Sequence, residues 1–363
     1  MTTIGVIGAG QLGQMLGFAG NALGLELIFL DPSEKPPAAD AGEVLKFPFD
    51  DAEGLSQLAA RCDVITYEFE NVPVATAIAL SKSVPVYPPP IALECAQDRL
   101  VEKNLFVELD IPVPGFHAVD NADDLREAIA SLGLPVVLKT RRMGYDGKGQ
   151  AIIRDVSEID DTLSRLGSSG LIAEAWVPFD REVSAIGARS VSGDVACWPL
   201  TENIHVDGIL SESRAPAPDA SELTVLATTY LERILNKLDY VGVLALELFV
   251  CGDELLANEY APRVHNSGHW TIEGAQCSQF ENHVRAILDM PLGSTGMRGC
   301  AGMLNLIGDI PENRQALESP PAHLHDYGKD PRPGRKLGHV TVVTDDEANR
   351  EVTMQMLAKY LKK

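Results

Sequence analysis

The stretch that most limits how this chain can fold runs from Leu134 to Gln150. Leu134 to Leu138 is a short apolar run, which reads as a buried strand. It delivers Lys139, Arg141 and Arg142, three cations in four residues, and then Gly144, Gly147 and Gly149. Glycines let a backbone bend so that successive N–H groups converge on an anion. Lys139 and Lys148 bracket the loop. Two readings are open here: a loop that cradles a polyphosphate, or an exposed hairpin turn with solvated lysines.

Charge sharpens the contrast. The 363 residues carry a formal charge of -22, which argues against nonspecific binding to nucleic acid or to an anionic membrane. An anionic substrate then needs locally concentrated cations. The six cysteines are scattered without a C-x-x-C pair, which excludes zinc-ribbon spacing and predicts reduced thiols in a reducing, cytoplasmic setting. No signal peptide is expected, because the N-terminus enters a strand directly. No apolar run reaches the roughly 18 residues of a membrane span.

Residues 1–97 alternate strand and helix, with strands at Ile4–Ile7, Leu25–Leu30, Val44–Phe47, Val64–Phe69 and Val84–Tyr87. Such alternation predicts a parallel, doubly wound sheet with ligands at the strands' carboxyl ends. Gly8-Ala9-Gly10-Gln11-Leu12-Gly13 is a G-x-G-x-x-G opening a helix, and Asp31 stands where a ribose-binding acid would sit. Taken alone, this invites a nicotinamide-dependent dehydrogenase. The helix N-terminus at Gly10, Gln11 and Leu12 suits any anion or phosphate. Glu68 and Glu70 fall at another strand end, either in a polar loop or in contact with a substrate amine or sugar hydroxyl.

Arg99 and Lys103 share one face of the next helix, and most such pairs are solvated charges. Residues 98–181 read as a linker helix and a small α+β lid, with a return strand at Gln150–Ile153 and an apolar strand at Leu171–Val177 interrupted by Glu174. Residues 182–363 read as a larger lobe, with a terminal piece from about 301. Its most informative part is the apolar strand Val243–Val250, which contains Glu247, and the returning strand Leu255–Tyr260, which contains Asn258 and Glu259. With a three-residue loop, Glu247 faces Glu259; with a two-residue turn, it faces Asn258. Opposed carboxylates repel by roughly 0.2–1 kcal/mol, and a divalent cation removes the conflict. Two carboxylates with few other protein ligands suit magnesium, which keeps waters and takes phosphate oxygens.

Ala261 to Trp270 then packs Arg263, His265, Asn266 and His269 into one short loop. The two histidines raise a zinc site, but no third ligand follows at suitable spacing. Arg263, His265 and Asn266 better suit a small oxyanion. Lys329 to Lys336 is the densest basic cluster, either a solvated turn or a clamp for a monophosphate.

This order of parts resembles the ATP-grasp superfamily. Within it, Gly10-Gln11-Leu12-Gly13, Tyr67-Glu68-Phe69-Glu70-Asn71, Gly144 to Gln150, Ala261 to Trp270 and Arg332-Pro333-Gly334-Arg335-Lys336 are similar to the N5-carboxyaminoimidazole ribonucleotide synthetases of purine biosynthesis. The resemblance implies a two-lobed ATP-grasp fold behind the doubly wound domain, with ATP and Mg2+ as cofactors. Lys139 with Gly144, Tyr145, Asp146, Gly147, Lys148, Gly149 and Gln150 would hold ATP phosphates. Glu174, Ala175, Trp176 and Val177 would hold adenine, and Glu182 the ribose. Arg99, His205 and Asn258 would also contact ATP, and Glu247 and Glu259 would hold magnesium. Arg263, His265 and Asn266, with Lys139 offsetting phosphoryl charge, would serve the chemistry on bicarbonate. Gly10, Gln11, Leu12, Lys329, Arg335 and Lys336 would hold 5-aminoimidazole ribonucleotide, with Glu68 and Glu70 nearby. The glycine hairpin would close as a lid, and a homodimer is expected. A formate-dependent glycinamide ribonucleotide enzyme, a biotin carboxylase and a nicotinamide- or nucleotide-binding protein remain as alternatives.

Overall fold

The computed structural model describes residues 2–144, 149–312 and 314–361, and among them the strands form three sheets. The first joins β1 (Thr3–Ile7), β2 (Glu26–Leu30), β3 (Glu43–Leu45) and β4 (Val64–Tyr67) in the order β3-β2-β1-β4. Every pairing in it is parallel. All five residues of β1 are buried, as a strand covered on both faces by helices requires. The expected fifth strand shrinks to one bridge between Ile65 and Val86. Pro85 and Pro88 flank that bridge and lack the N–H groups a longer ladder needs.

The second sheet contains β5 (Phe116–Val119), β6 (Val136–Thr140), β7 (Gln150–Ile153) and β8 (Leu171–Ala175), ordered β5-β8-β6-β7. It is antiparallel throughout. Lys139 leaves through β6, and Glu174 lies on the neighbouring β8.

The third sheet is the largest. It comprises β9 (Arg181–Arg189), β10 (Val195–Cys197), β11 (Thr201–Val206), β12 (Ile209–Ala215), β13 (Gly242–Cys251), β14 (Glu254–Ala261), β15 (Cys300–Ile307), β16 (Ala322–Asp326) and β17 (Lys336–Thr344). The order is β14-β13-β9-β11-β12-β15-β17-β16, with β10 on the side of β9. The terminal strands therefore extend this sheet, which carries the 329–336 segment back toward the N-terminal domain. The Ser221–Lys237 helix buries Leu231, Ile234 and Leu235 against Leu244, Leu246 and Leu248, each worth about 1.5–3 kcal/mol on burial.

Two features bring the domains onto one site. A single core contains Leu16 and Phe29 of the first domain with Trp270 and Phe280 of the third. The linker forms two helices, Pro90–Ala96 and Arg99–Glu108, and the second begins on an Asp98 cap that accepts from the Leu100 N–H at 3.1 Å.

Candidate active site

The acid pair forms, but by a route the turn alone would not give. The β13–β14 turn has two residues, with Cys251 opposite Glu254 and Leu248 opposite Ala257. The register then shifts, and Glu247 stands opposite Glu259. Asn258 is the extra residue of a β-bulge. Burial, and then the Glu259 charge, push the Glu247 carboxyl above its ordinary range. The Arg99 guanidinium, paired with Glu259, holds that carboxyl down. Asn258 Oδ1 is buried without a hydrogen-bond partner. Crowded carboxylates beside an orphaned amide oxygen are a donor set that fits a hard divalent cation. Among the described residues no three His, Cys, Asp or Glu side chains form a self-contained metal site. That suits an ion completed by phosphate and water.

The linker helix reaches deeper into this site than a solvated face would. Lys103 is fully buried. Its ammonium donates to the carbonyls of Ala257 at 3.1 Å and Asn258 at 2.8 Å, and lies 3.5 Å from Glu174 Oε2. Lys139 Nζ donates to the same carboxylate oxygen at 3.0 Å. Burial alone would raise Glu174, but Lys139 and Lys103 hold it down at about 2. Glu102 accepts from the Tyr260 N–H at 2.7 Å. Arg141 and Arg142 do not join Lys139 facing a ligand. Both pair with Asp98, Arg141 through two bonds of 2.9 and 2.7 Å, and so tie the hairpin to the linker helix. Tyr145, Asp146, Gly147 and Lys148 lie outside the described residues, whereas Gly149 turns the chain at φ +73 into β7.

The glycine loop of the first domain already holds an anion, which is a side chain. Glu68 accepts from the Gly10 N–H at 2.6 Å and the Gly13 N–H at 2.7 Å. Asp31 accepts from the N–H groups of Ala9 and Ser33 at 2.9 and 2.8 Å. The donors a dinucleotide's pyrophosphate would use, and the acid its ribose would use, are thus engaged within the chain. The close approach of Glu68 explains Gly10, where a Cβ would sit 2.5 Å from Glu68 Oε1.

The loop after β14 closes the site. Arg263 pairs with Glu70, linking the first domain to the third. The Arg263 charge holds the buried Glu70 carboxyl below its usual range against the effect of burial. Gln279 clamps the loop backbone, accepting from the His265 N–H at 2.9 Å and donating to its carbonyl at 2.7 Å. His265 Nε2 lies 3.2 Å from Glu247 Oε1. Burial keeps this imidazole neutral, with its pKa well below the ordinary value. Asn266 exchanges amide bonds with Asn305 at 3.0 and 2.7 Å. The His269 ring contacts Gln279 and His339, whereas the His265 ring faces Glu247 and Ser267. Glu182 pairs with His205, and both line a cleft with Glu247, Phe249 and Asn258. From the far end of the chain, Lys329 donates to Gln11 beside the glycine loop. Its pKa falls to about 8, through burial first and then the Arg335 and Lys336 charges.

Comparison with known proteins decides among the readings. Residues 1–97 match the ribonucleotide synthetase preATP-grasp domain, 104–280 the ATP-grasp domain, and 301–352 the phosphoribosylaminoimidazole carboxylase C-terminal domain. The N5-carboxyaminoimidazole ribonucleotide synthase of Pseudomonas aeruginosa is 49% identical over 345 residues, 95% of each chain. The chain belongs to the N5-carboxyaminoimidazole ribonucleotide synthase family. The crystal structure of the Thermus thermophilus synthetase matches with a TM-score of 0.95 at 52% identity, covering 99% of both chains. The synthase of Aspergillus clavatus, solved in complex with ADP and 5-aminoimidazole ribonucleotide, gives 0.92 at 30% identity, covering 99% of this chain and 98% of that one.

Within this synthase family member, sequence reasoning missed Lys103, Gln279 and Asn305. Lys103 had a signal, since it sits four residues after Arg99 on a helix whose other face is apolar. Gln279 and Asn305 had none, because each acts on a loop 14 and 39 residues away.

Proposed function

We propose that this chain uses ATP to carboxylate the exocyclic amine of 5-aminoimidazole ribonucleotide with bicarbonate. The products are N5-carboxyaminoimidazole ribonucleotide, ADP and phosphate, a step of purine biosynthesis. The observation that carries this reading is His265 Nε2 at 3.2 Å from Glu247 Oε1, opposite Glu259, with Arg263 of the same loop near enough to feel the Glu247 charge. A phosphoryl-transfer site and a small-oxyanion site then share one wall. A bicarbonate oxygen attacks the γ-phosphorus, the bond to ADP breaks, and carboxyphosphate forms. The amine nitrogen then bonds to the carboxyl carbon, directly or after release of carbon dioxide, and phosphate leaves.

In this reading Lys139 and Arg99 offset charge on the ATP phosphates. Glu174 to Val177 face the adenine, and Glu182 with His205 the ribose. Arg263 and Asn266 orient bicarbonate. The basic strap Lys329, Arg335 and Lys336, together with Gly10, Gln11 and Leu12, binds the nucleotide phosphate. Because Glu68 already fills the glycine loop's N–H groups, the strap supplies most of that charge. Glu70, fixed by Arg263, is within the same wall. Glu247 and Glu259, with Asn258 beside them, would hold magnesium, which when bound neutralises charge on the transferring phosphoryl group.

The six cysteines are all unpaired, and among the described residues no helix is long and apolar enough to cross a membrane. Both fit a cytoplasmic setting, which is part of the proposal, as is a homodimer carried by family membership alone. The test is magnesium-dependent ADP release in bicarbonate, with and without 5-aminoimidazole ribonucleotide. Strong stimulation by that nucleotide is expected. Stimulation by glycinamide ribonucleotide with formate, or by biotin, would instead overturn the substrate assignment.

A further inference from the structure

His265 Nδ1 stands at the end of a buried chain of hydrogen bonds that crosses the third sheet. Ser213 Oγ donates to Asn203 Oδ1 at 2.9 Å, and Asn203 Nδ2 donates to Ser184 Oγ at 3.0 Å. Ser184 Oγ donates to Ser267 Oγ at 2.8 Å, and Ser267 Oγ lies 2.8 Å from His265 Nδ1. Ser184, Ser213 and Ser267 are fully buried and Asn203 nearly so, so no solvent competes for these protons.

The chain has one direction. The Ser267 backbone N–H also points at His265 Nδ1, at 3.4 Å. A backbone N–H can only donate, so Nδ1 is an acceptor. With Nδ1 the acceptor, the Ser267 hydroxyl donates to it while accepting from Ser184. A neutral imidazole that accepts at Nδ1 carries its proton at Nε2. Nε2 is the atom 3.2 Å from Glu247 Oε1, facing the acid pair. The backbone on both sides of the ring is held by Gln279, so the ring cannot trade its two nitrogens by moving the loop.

We propose that Ser184, Ser267, Asn203 and Ser213 are positioning residues that fix His265 as the Nε2–H tautomer. His265 then enters the reaction only as a hydrogen-bond donor to an oxyanion of bicarbonate or carboxyphosphate. It has no lone pair at Nε2 and does not take the proton that the substrate amine loses. The catalytic part of this proposal rests on bicarbonate binding at 263–266; the tautomer does not.

The test reads the tautomer directly, by two-bond 1H–15N correlation on ligand-free enzyme labelled with 15N-histidine. The His265 signals are assigned by their absence in His265→Gln. The expected wild-type spectrum has a protonated Nε2 and an unprotonated Nδ1. A protonated Nδ1, or an even mixture, would overturn the proposal. Ser184→Ala removes the donor that orients the Ser267 proton toward Nδ1, so a measurable Nδ1–H fraction is expected. With it, kcat should fall about five- to tenfold, the worth of one net hydrogen bond, while KM for ATP stays unchanged. An unaltered spectrum in that variant would overturn the relay. If Ser184→Ala does not fold, the wild-type spectrum still decides. The expected spectrum in an enzyme that proves indifferent to bicarbonate would leave the tautomer standing and remove only its catalytic consequence.

Discussion

Glu247 and Glu259 face each other only because Asn258 is an extra residue in β14. The two-residue turn at Gly252 and Asp253 would otherwise place Asn258 opposite Glu247 and turn Glu259 to the other face. The carbonyls on each side of the bulge's start, Ala257 and Asn258, are both taken by Lys103. A helix from the linker thereby holds open the irregularity that aligns two acids.

Glu259→Gln keeps the shape of the pair but removes a charge from the proposed magnesium site. Magnesium-dependent ADP release should fall by about 100-fold or more, on the scale of losing a principal charge-stabilising group. Near-normal release in steady-state assays would break the magnesium assignment.

Lys103→Met removes the donor to two backbone carbonyls and one of the two cations on Glu174. Leaving buried polar groups unpaired costs about 3 kcal/mol. Denaturant unfolding should show that loss, and the magnesium concentration needed for half-maximal turnover should rise as the bulge relaxes. Unchanged stability would mean that the buried ammonium is not holding the bulge.

Gly10→Ala tests the filled glycine loop. Gly10 has φ -74, so alanine suits the backbone, and the penalty comes only from the clash with Glu68. A loss of about 1–3 kcal/mol is expected, relieved in the double variant Gly10→Ala with Glu68→Ala. Calorimetry should detect no NAD(P) binding to the unaltered protein. Tight binding would return the loop to a dinucleotide role.

His283 gives the protein an acid-side weakness. It is fully buried between the first and third domains, with Nε2 2.8 Å from Thr66 Oγ1 and Nδ1 accepting from the Val243 N–H at 3.1 Å. Burial lowers its pKa from 6.5 to about 4. Between those values the unfolded chain binds the extra proton, so stability falls as pH falls. The contribution is complete above pH 6.5 and lost by pH 4, about 3 kcal/mol in all. His283→Gln should flatten unfolding free energy against pH over that window. An unchanged slope would assign the weakness elsewhere.

Much of this architecture is legible in the residues. The parallel first domain follows from its alternating apolar runs, and Lys139, Glu174, Glu247 and Glu259 stand out as charges inside apolar strands. What periodicity cannot reveal is which partner a charge meets. Arg141 and Arg142 follow Lys139 in the cationic run, yet both meet Asp98, and Glu68, open to a polar-loop or a substrate reading, accepts from its own glycine loop. The opposition of the acids was expected from a three-residue loop, whereas the chain makes a tighter turn and a bulge. A bulge has no sequence period, and Lys103 stabilises it from 154 residues away.

The most direct measurement of the central claim follows oxygen and carbon from doubly labelled bicarbonate, 13C and 18O, in the presence of ATP and 5-aminoimidazole ribonucleotide. Attack by bicarbonate on the γ-phosphorus leaves one of its oxygens on phosphorus. The account predicts one 18O in the released phosphate and 13C in the carbamate of the product, both dependent on the nucleotide. Phosphate free of 18O, or carbamate formed without ATP cleavage, would contradict it.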